Sequence, residues 1–279
     1  MRKILLLLTI INFWSCNSFK SEKPKEINVL FIGNSLTYYN EMPQMLQKML
    51  SETNSNIKID QITFPGISLS GHLDNIIKES SEDNISTRLK REGEKTETEK
   101  KIQEKKWDII IMQTGTVAVL IPESRKHKTD PAIKKIKALN NNANARYILF
   151  NTWTGKVAYP KQYCYSGFML GDSFNRDEKY CSPEVINKSQ HLTLINESYA
   201  ALAKENSLEL SKHGDIYYKV SGNNPEIKLL EDDIHPSKLG AFLSACIFYE
   251  MITNKDATDL KYNAGLDTQQ AKVLKAFIE

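Results

Sequence analysis

Cysteine and histidine are scarce: 4 and 5 in 279 residues. No group of them has the spacing of a metal site, so no zinc centre is expected. Charge of one sign is lacking too, with 37 basic residues against 34 acidic ones and a net +3. Loss of Arg2 and Lys3 with an amino-terminal leader would leave about +1, which gives no general attraction for nucleic acid. There is no internal repeat. The apolar run Ile4-Leu5-Leu6-Leu7-Leu8-Thr9-Ile10-Ile11 is too short for a comfortable membrane span. Behind the basic start Met1-Arg2-Lys3 it reads as a signal peptide.

Cys16 follows Ser15 where that run ends, in the manner of a bacterial lipoprotein signal with lipid on Cys16. Phe13 and Trp14 stand where a leucine and a small residue are usual. Ordinary secretion, with Cys16 lost in the cleaved peptide, is the alternative. The boundaries expected are a signal over 1–15, a polar, lysine-rich tether over 16–26 and one domain over 27–279. A lipid anchor would be the only membrane contact, at the periplasmic or cell-surface side. Export permits Cys164 and Cys181, in one irregular segment, to pair; two free thiols are the other reading. Such a loop closure is worth about 3 kcal/mol in the chain-entropy description. Cys246 sits among Phe242, Ala245 and Tyr249 in a helical pattern and is expected in the core.

Two segments carry chemistry. Val29-Leu30-Phe31-Ile32 is apolar and ends in Gly33-Asn34-Ser35, after which Met42, Leu46, Met49 and Leu50 repeat at helical spacing. A small-residue turn between a buried strand and a helix lifts a serine out of the sheet and leaves its N–H free, as a nucleophile requires. An N-cap serine after a tight turn would read the same. Some 200 residues later, Asp232-Asp233-Ile234-His235-Pro236-Ser237 precedes the apolar helix pattern from Lys238. In Asp-x-x-His the carboxylate can fix the imidazole tautomer while the second nitrogen faces a serine. His72, His127, His191 and His213 are scattered and are expected on the surface or in packing roles.

The two segments together, in this order, resemble the SGNH (GDSL-like) hydrolases, in a branch reading Gly-Asn-Ser for Gly-Asp-Ser. The resemblance spans residues 28–255. It implies Ser35 as nucleophile, Asp232 and His235 as its partners, and an oxyanion N–H from Gly66 in Thr63-Phe64-Pro65-Gly66-Ile67. In the third block the family shows Gly-x-Asn-Asp, whereas here Val117 takes the asparagine's place. Gln113, directly after Trp107–Met112, has an amide that could serve as the missing oxyanion donor; a strand-end glutamine bonding nearby backbone is the alternative. Gly171-Asp172-Ser173 copies the family's triplet but lacks the strand before it and the helix after it, so it reads as a turn.

The remaining pattern alternates short apolar runs with helical ones. Strands are expected at Ile27–Ile32, Ile57–Ile62, Trp107–Met112, Tyr147–Asn151 and Leu208–Ser211. Helices are expected near 41–52, 69–79, 88–105, 130–140, 184–206 and 236–254, with a short terminal one over Gln269–Phe277. The Glu- and Lys-rich 88–105 helix would be solvated and laced by i,i+4 pairs. This alternation predicts an α/β fold with helices on both faces of a five-stranded parallel sheet, and the resemblance implies the flavodoxin-like three-layer α/β/α sandwich of the SGNH hydrolases. Ser35, Gly66 and Gln113 each follow a strand, so all three fall on the carboxyl rim where such sheets bind ligands. The long insertion 153–183 carries Trp153, Tyr159, Tyr163, Tyr165, Phe168 and Tyr180, which suit either sugar binding or self-packing.

The function implied is an exported serine esterase that removes a small acyl group, acetyl above all, from a carbohydrate, with no cofactor. A lipid or thioester hydrolase of the same fold, or a non-catalytic glycan-binding lipoprotein, are the alternatives. The partner is a small-molecule or glycan ester. Nothing in the residues sets an oligomeric state.

Overall fold

The computed structural model describes residues 25–53, 55–81 and 84–278. The signal segment, Cys16 and most of the tether lie outside the described residues.

Five strands form the central sheet: β1 (Ile27–Gly33), β2 (Ile57–Thr63), β3 (Ile109–Met112), β4 (Arg146–Leu149) and β5 (Glu209–Leu210). Every neighbouring pair is parallel, in the order β2-β1-β3-β4-β5. This is the flavodoxin-like order, whose switch point lies between β1 and β3. Side chains alternate across the pleat. Val29, Phe31, Ile109, Ile111 and Ile148 pack on one face with the helices Met42–Glu52 and Lys238–Thr253. Leu30, Ile32, Ile110, Met112 and Leu149 pack on the other with the helices Leu69–Asp74, Glu97–Gln103, Asp130–Leu139 and Lys188–Asn206. The inner part of β1 and all of β3 are buried on both faces, so their sequences run apolar without alternating, whereas the edge strand β2 keeps Lys58, Asp60 and Gln61. Each fully buried Leu or Ile contributes about 1.5–3 kcal/mol. Cys246 is fully buried in the first of these layers.

Two expected helices are wrong in part. The 69–79 helix stops at Asp74, and Asn75–Ser81 pairs antiparallel with Asn84–Leu89. The Lys90 N–H closes that hairpin on the Asp74 carbonyl at 2.9 Å. The 88–105 helix shrinks to Glu97–Gln103, because Gly93 takes φ +80° and the helix begins only at the capping box of Thr96 and Glu99. Its charges also pair differently. Glu97–Lys100 and Lys101–Glu104 are i,i+3 pairs, and Glu99 reaches Lys90 and Lys135, each at 2.7 Å. The helix His213–Asn223 was not expected from the sequence. The 153–183 insertion holds a short hairpin, Cys164–Ser166 with Lys179–Cys181, and a disulfide joins Cys164 to Cys181. Gly171, Asp172 and Ser173 lie in a turn between these strands, where the Phe174 N–H returns to the Gly171 carbonyl.

Candidate active site

At the end of β1 the backbone has no room to spare. A Cβ on Gly33 would collide with Thr37 Oγ1 and Gln113 Oε1, so only glycine fits. Asn34 then caps the helical turn Ser35–Tyr38, its Oδ1 accepting from the Leu36 N–H at 3.1 Å. Its Nδ2 donates to the Ile67 carbonyl at 3.0 Å, which ties this turn to the loop carrying Gly66. His72, fully buried, braces the same turn from below. Its Nε2–H donates to the Gly33 carbonyl at 2.9 Å and its Nδ1 accepts from Thr98 Oγ1 at 2.7 Å. Burial lowers its pKa to about 4, outweighing the bond to Gly33, so the ring is neutral and this tautomer is fixed. Ser35, as the first helical residue, has no intrahelical acceptor for its N–H. Gly66 adopts φ +63° in the turn after β2, a conformation suited to glycine, and among the described residues its N–H makes no backbone bond.

The second segment meets the first here. His235 Nε2 lies 2.9 Å from Ser35 Oγ, and His235 Nδ1 lies 2.6 Å from Asp232 Oδ2. Asp232 Oδ1 accepts the N–H groups of Ile234 and His235 at 2.8 and 2.6 Å. Desolvation pushes the Asp232 carboxyl up, but the hydrogen bonds from the His235 ring and from both N–H groups win, and hold it at about 2. It is therefore ionised throughout the neutral range, which keeps the proton on Nδ1 and leaves Nε2 free to accept from serine. Asp233 plays no part in this pairing; its carbonyl accepts the Lys156 N–H at 2.7 Å.

Three residues fix the histidine loop, of which Tyr39 and Asn40 are not singled out by the sequence reading and Trp153 is singled out only as a loop aromatic. Tyr39 stacks on the His235 ring, centroids 4.2 Å apart and 11° from parallel. Asn40 Nδ2 donates to Glu231 Oε2 at 3.0 Å and to the Pro236 carbonyl at 2.8 Å. Asn40 and Glu41 both take left-handed backbone conformations, φ 52° and 58°, an uncommon local strain held by these contacts. Trp153 Nε1 donates to the Ile234 carbonyl at 2.9 Å from the opposite side. Two adjacent residues ahead of a helix, one aromatic and one amide, were the available signal.

Gln113 corrects an expectation. It is fully buried and does not line the cavity at Ser35. Its Oε1 accepts from the Asn34 N–H at 2.8 Å and from Thr37 Oγ1 at 3.0 Å, while its Nε2 donates to the Thr114 carbonyl at 2.7 Å. A backbone donor on one side and a backbone acceptor on the other fix the amide orientation. Gln113 therefore holds the serine turn from beneath and does not offer its amide to an oxyanion. Gln113→Ala would strand a buried N–H and a buried hydroxyl, so a stability loss of about 1–3 kcal/mol is expected, with turnover falling as Ser35 shifts. Thermal melting beside kinetics checks this: a large loss of turnover at unchanged melting temperature would restore the direct oxyanion role.

Ser35 and Gly66 open on a cavity of about 310 Å³ whose walls include Leu36, Thr116, Val117, Trp153, Tyr163, Tyr165, His191 and Ile234. The 153–183 insertion divides between the cavity wall and its own packing. Trp153, Tyr163 and Tyr165 line the cavity, whereas Phe174 and Tyr180 pack edge-on with each other at 5.1 Å. His127 packs edge-on against Phe174, and His213 is buried between Phe150 and Phe248.

Solved structures share this fold. A DUF4886 family protein from Bacteroides uniformis superposes with a TM-score of 0.68 at 18% identity, covering 91% of this chain and 93% of that one. A candidate SGNH hydrolase from Slackia heliotrinireducens gives 0.55 at 19% identity, over 82% and 100%. A candidate GDSL-like lipase from Parabacteroides merdae gives 0.52 at 12% identity, over 82% and 96%. No curated protein matches the sequence. A family model matches residues 28–277, nearly the whole described domain, and on that match the chain belongs to DUF4886, a domain of unknown function.

Proposed function

We propose that this protein is an exported serine esterase of the SGNH type, with Gly33-Asn34-Ser35 as its nucleophile block, that removes a small acyl group, acetyl foremost, from a carbohydrate. The observation that carries it is the unbroken relay from Asp232 through His235 to Ser35, at 2.6 and 2.9 Å. His235 takes the proton as Ser35 Oγ attacks the ester carbonyl. The N–H groups of Ser35 and Gly66 receive the developing oxyanion. His235 then protonates the leaving alkoxide, and water repeats the sequence on the acyl-enzyme to release the acid. A binder would need none of these three side chains in register.

The compact cavity supports a short acyl group, and its aromatic walls of Trp153, Tyr163 and Tyr165 support a sugar as the alcohol. Export with lipid on Cys16 is part of the same proposal. The test uses membrane-extracted full-length protein. Hydrolysis of p-nitrophenyl acetate, tenfold or more weaker turnover of the decanoate, and labelling of Ser35 by a phosphonate inhibitor are expected. Preference for the long chain would favour a lipid acyl hydrolase. No turnover and no label would leave a binding protein. Intact mass of the same preparation reads the lipid, and an unmodified amino terminus beyond Cys16 would reject the anchor.

A further inference from the structure

Beside the catalytic cavity lies a second one of about 390 Å³, and the two share Gly155 and Val157. Tyr217, Ile227 and Leu229, all buried, form an apolar floor. Lys156, Lys188 and Lys228 stand around it, and no carboxylate lines it. Among the described residues none of the three ammonium groups is in an ion pair. Lys228 Nζ donates to the Pro225 carbonyl at 2.6 Å, and Lys188 Nζ lies 5.4 Å from the Tyr218 ring centre.

Three cations without an ion-pair partner among the described residues stand around one concave surface, and the apolar floor focuses their field. That field favours an anion. No arginine lines the cavity, so recognition would be by point charge and not by a planar fork, which accommodates carboxylate and sulfate alike. A side-chain link joins the two cavities. Tyr159 lines the lysine-rimmed one and its hydroxyl lies 3.1 Å from His191 Nδ1. His191 is 2% exposed and lines the catalytic cavity, with no partner for its Nε2. A sugar bridging both would meet a polar atom at each.

We propose that this lysine-rimmed cavity binds an anionic group of the alcohol moiety, a uronate carboxylate or a sugar sulfate, so that the preferred substrates are esters of acidic glycans. The proposal rests on the esterase reading and names its substrate class. Its test compares kcat/KM on three acetylated substrates: a neutral xylo-oligosaccharide, an oligogalacturonide and a sulfated oligosaccharide. The wild type should prefer at least one acidic ester by about tenfold, and added salt should erode that preference. Combining Lys156→Gln, Lys188→Gln and Lys228→Gln should lower the acidic-to-neutral ratio about tenfold, chiefly through KM, and Lys156→Gln alone by about threefold. Equal use of neutral and acidic esters by the wild type, or an unchanged ratio in both variants, would overturn it. Calorimetric titration of Ser35→Ala with deacetylated oligogalacturonide and with the sulfated sugar separates the two readings. Lysine-dependent binding without hydrolysis of any ester would sink the esterase and keep the anion site. Hydrolysis without charge preference or binding would do the reverse.

Discussion

Ser35→Ala is expected to abolish ester hydrolysis, with kcat falling on the order of 10⁶, as for loss of the nucleophile in a serine protease. The fold should survive. Among the described residues Ser35 Oγ bonds to His235 Nε2 alone, so its loss costs about 0.5–1.5 kcal/mol at most. The turn itself is held by other groups: Asn34 on Leu36 and Ile67, Gln113 on Asn34 and Thr37, and His72 on Gly33. A variant with an unchanged melting temperature and no turnover would therefore isolate the chemistry. Ser173→Ala is the matched control, since Ser173 is exposed in a turn of the disulfide hairpin and should change turnover little. Near-wild-type turnover by Ser35→Ala, on burst and steady-state kinetics, would reject the nucleophile outright.

How far the sequence could be read depended on the range of the interaction involved. Strands β1 and β3 are legible because burial on both faces writes a continuous apolar run into the chain, whereas β2 is marked only by isoleucines recurring along a partly exposed edge. The helix Lys238–Thr253 is legible from its apolar content, although it begins two residues past the expected start, with Ser237 as its N-cap. The meeting of Ser35 with His235 was inferred only because two motifs stood in a familiar order; no local pattern encodes a contact across 200 residues. The pairing of Asn75–Ser81 with Asn84–Leu89 is hidden in the sequence because Ile76 and Ile77 fit a helix face as well as a strand, and a single Gly93 is a weak stop signal. Gln113 lies on the expected rim but bonds to other partners than an oxyanion would require. Its position follows from strand order, but its hydrogen bonds depend on Gly33 leaving space for its oxygen, which only packing shows. Tyr39 and Asn40 escaped notice because their roles rest on left-handed backbone at Asn40 and Glu41, where neither residue is glycine.

Asp232→Asn is the second large effect expected, a loss of about 10⁴ in kcat with the fold intact. An amide at this position can still accept the N–H groups of Ile234 and His235 through its oxygen, the bonds now made at 2.8 and 2.6 Å. Its NH₂ then faces His235 Nδ1, which must become an acceptor. That tautomer carries its proton on Nε2, aimed at Ser35 Oγ, and cannot take the serine proton. Asp233→Asn should be nearly silent, because that side chain is exposed and its backbone carbonyl, not its carboxylate, holds the Lys156 N–H. The carboxylate also leaves a signature in stability against pH. Its pKa is depressed from an ordinary 3.8 to about 2, so its stabilising contribution is complete above about 3.8 and is lost as pH falls towards 2. With half of the side chain exposed, solvent screening keeps that contribution small. The wild type should lose stability across this acid window more steeply than Asp232→Asn, while Asp233→Asn follows the wild type. Should Asp233→Asn prove the more damaging to turnover, or Asp232→Asn keep wild-type kinetics, the carboxylate that orients His235 has been misassigned.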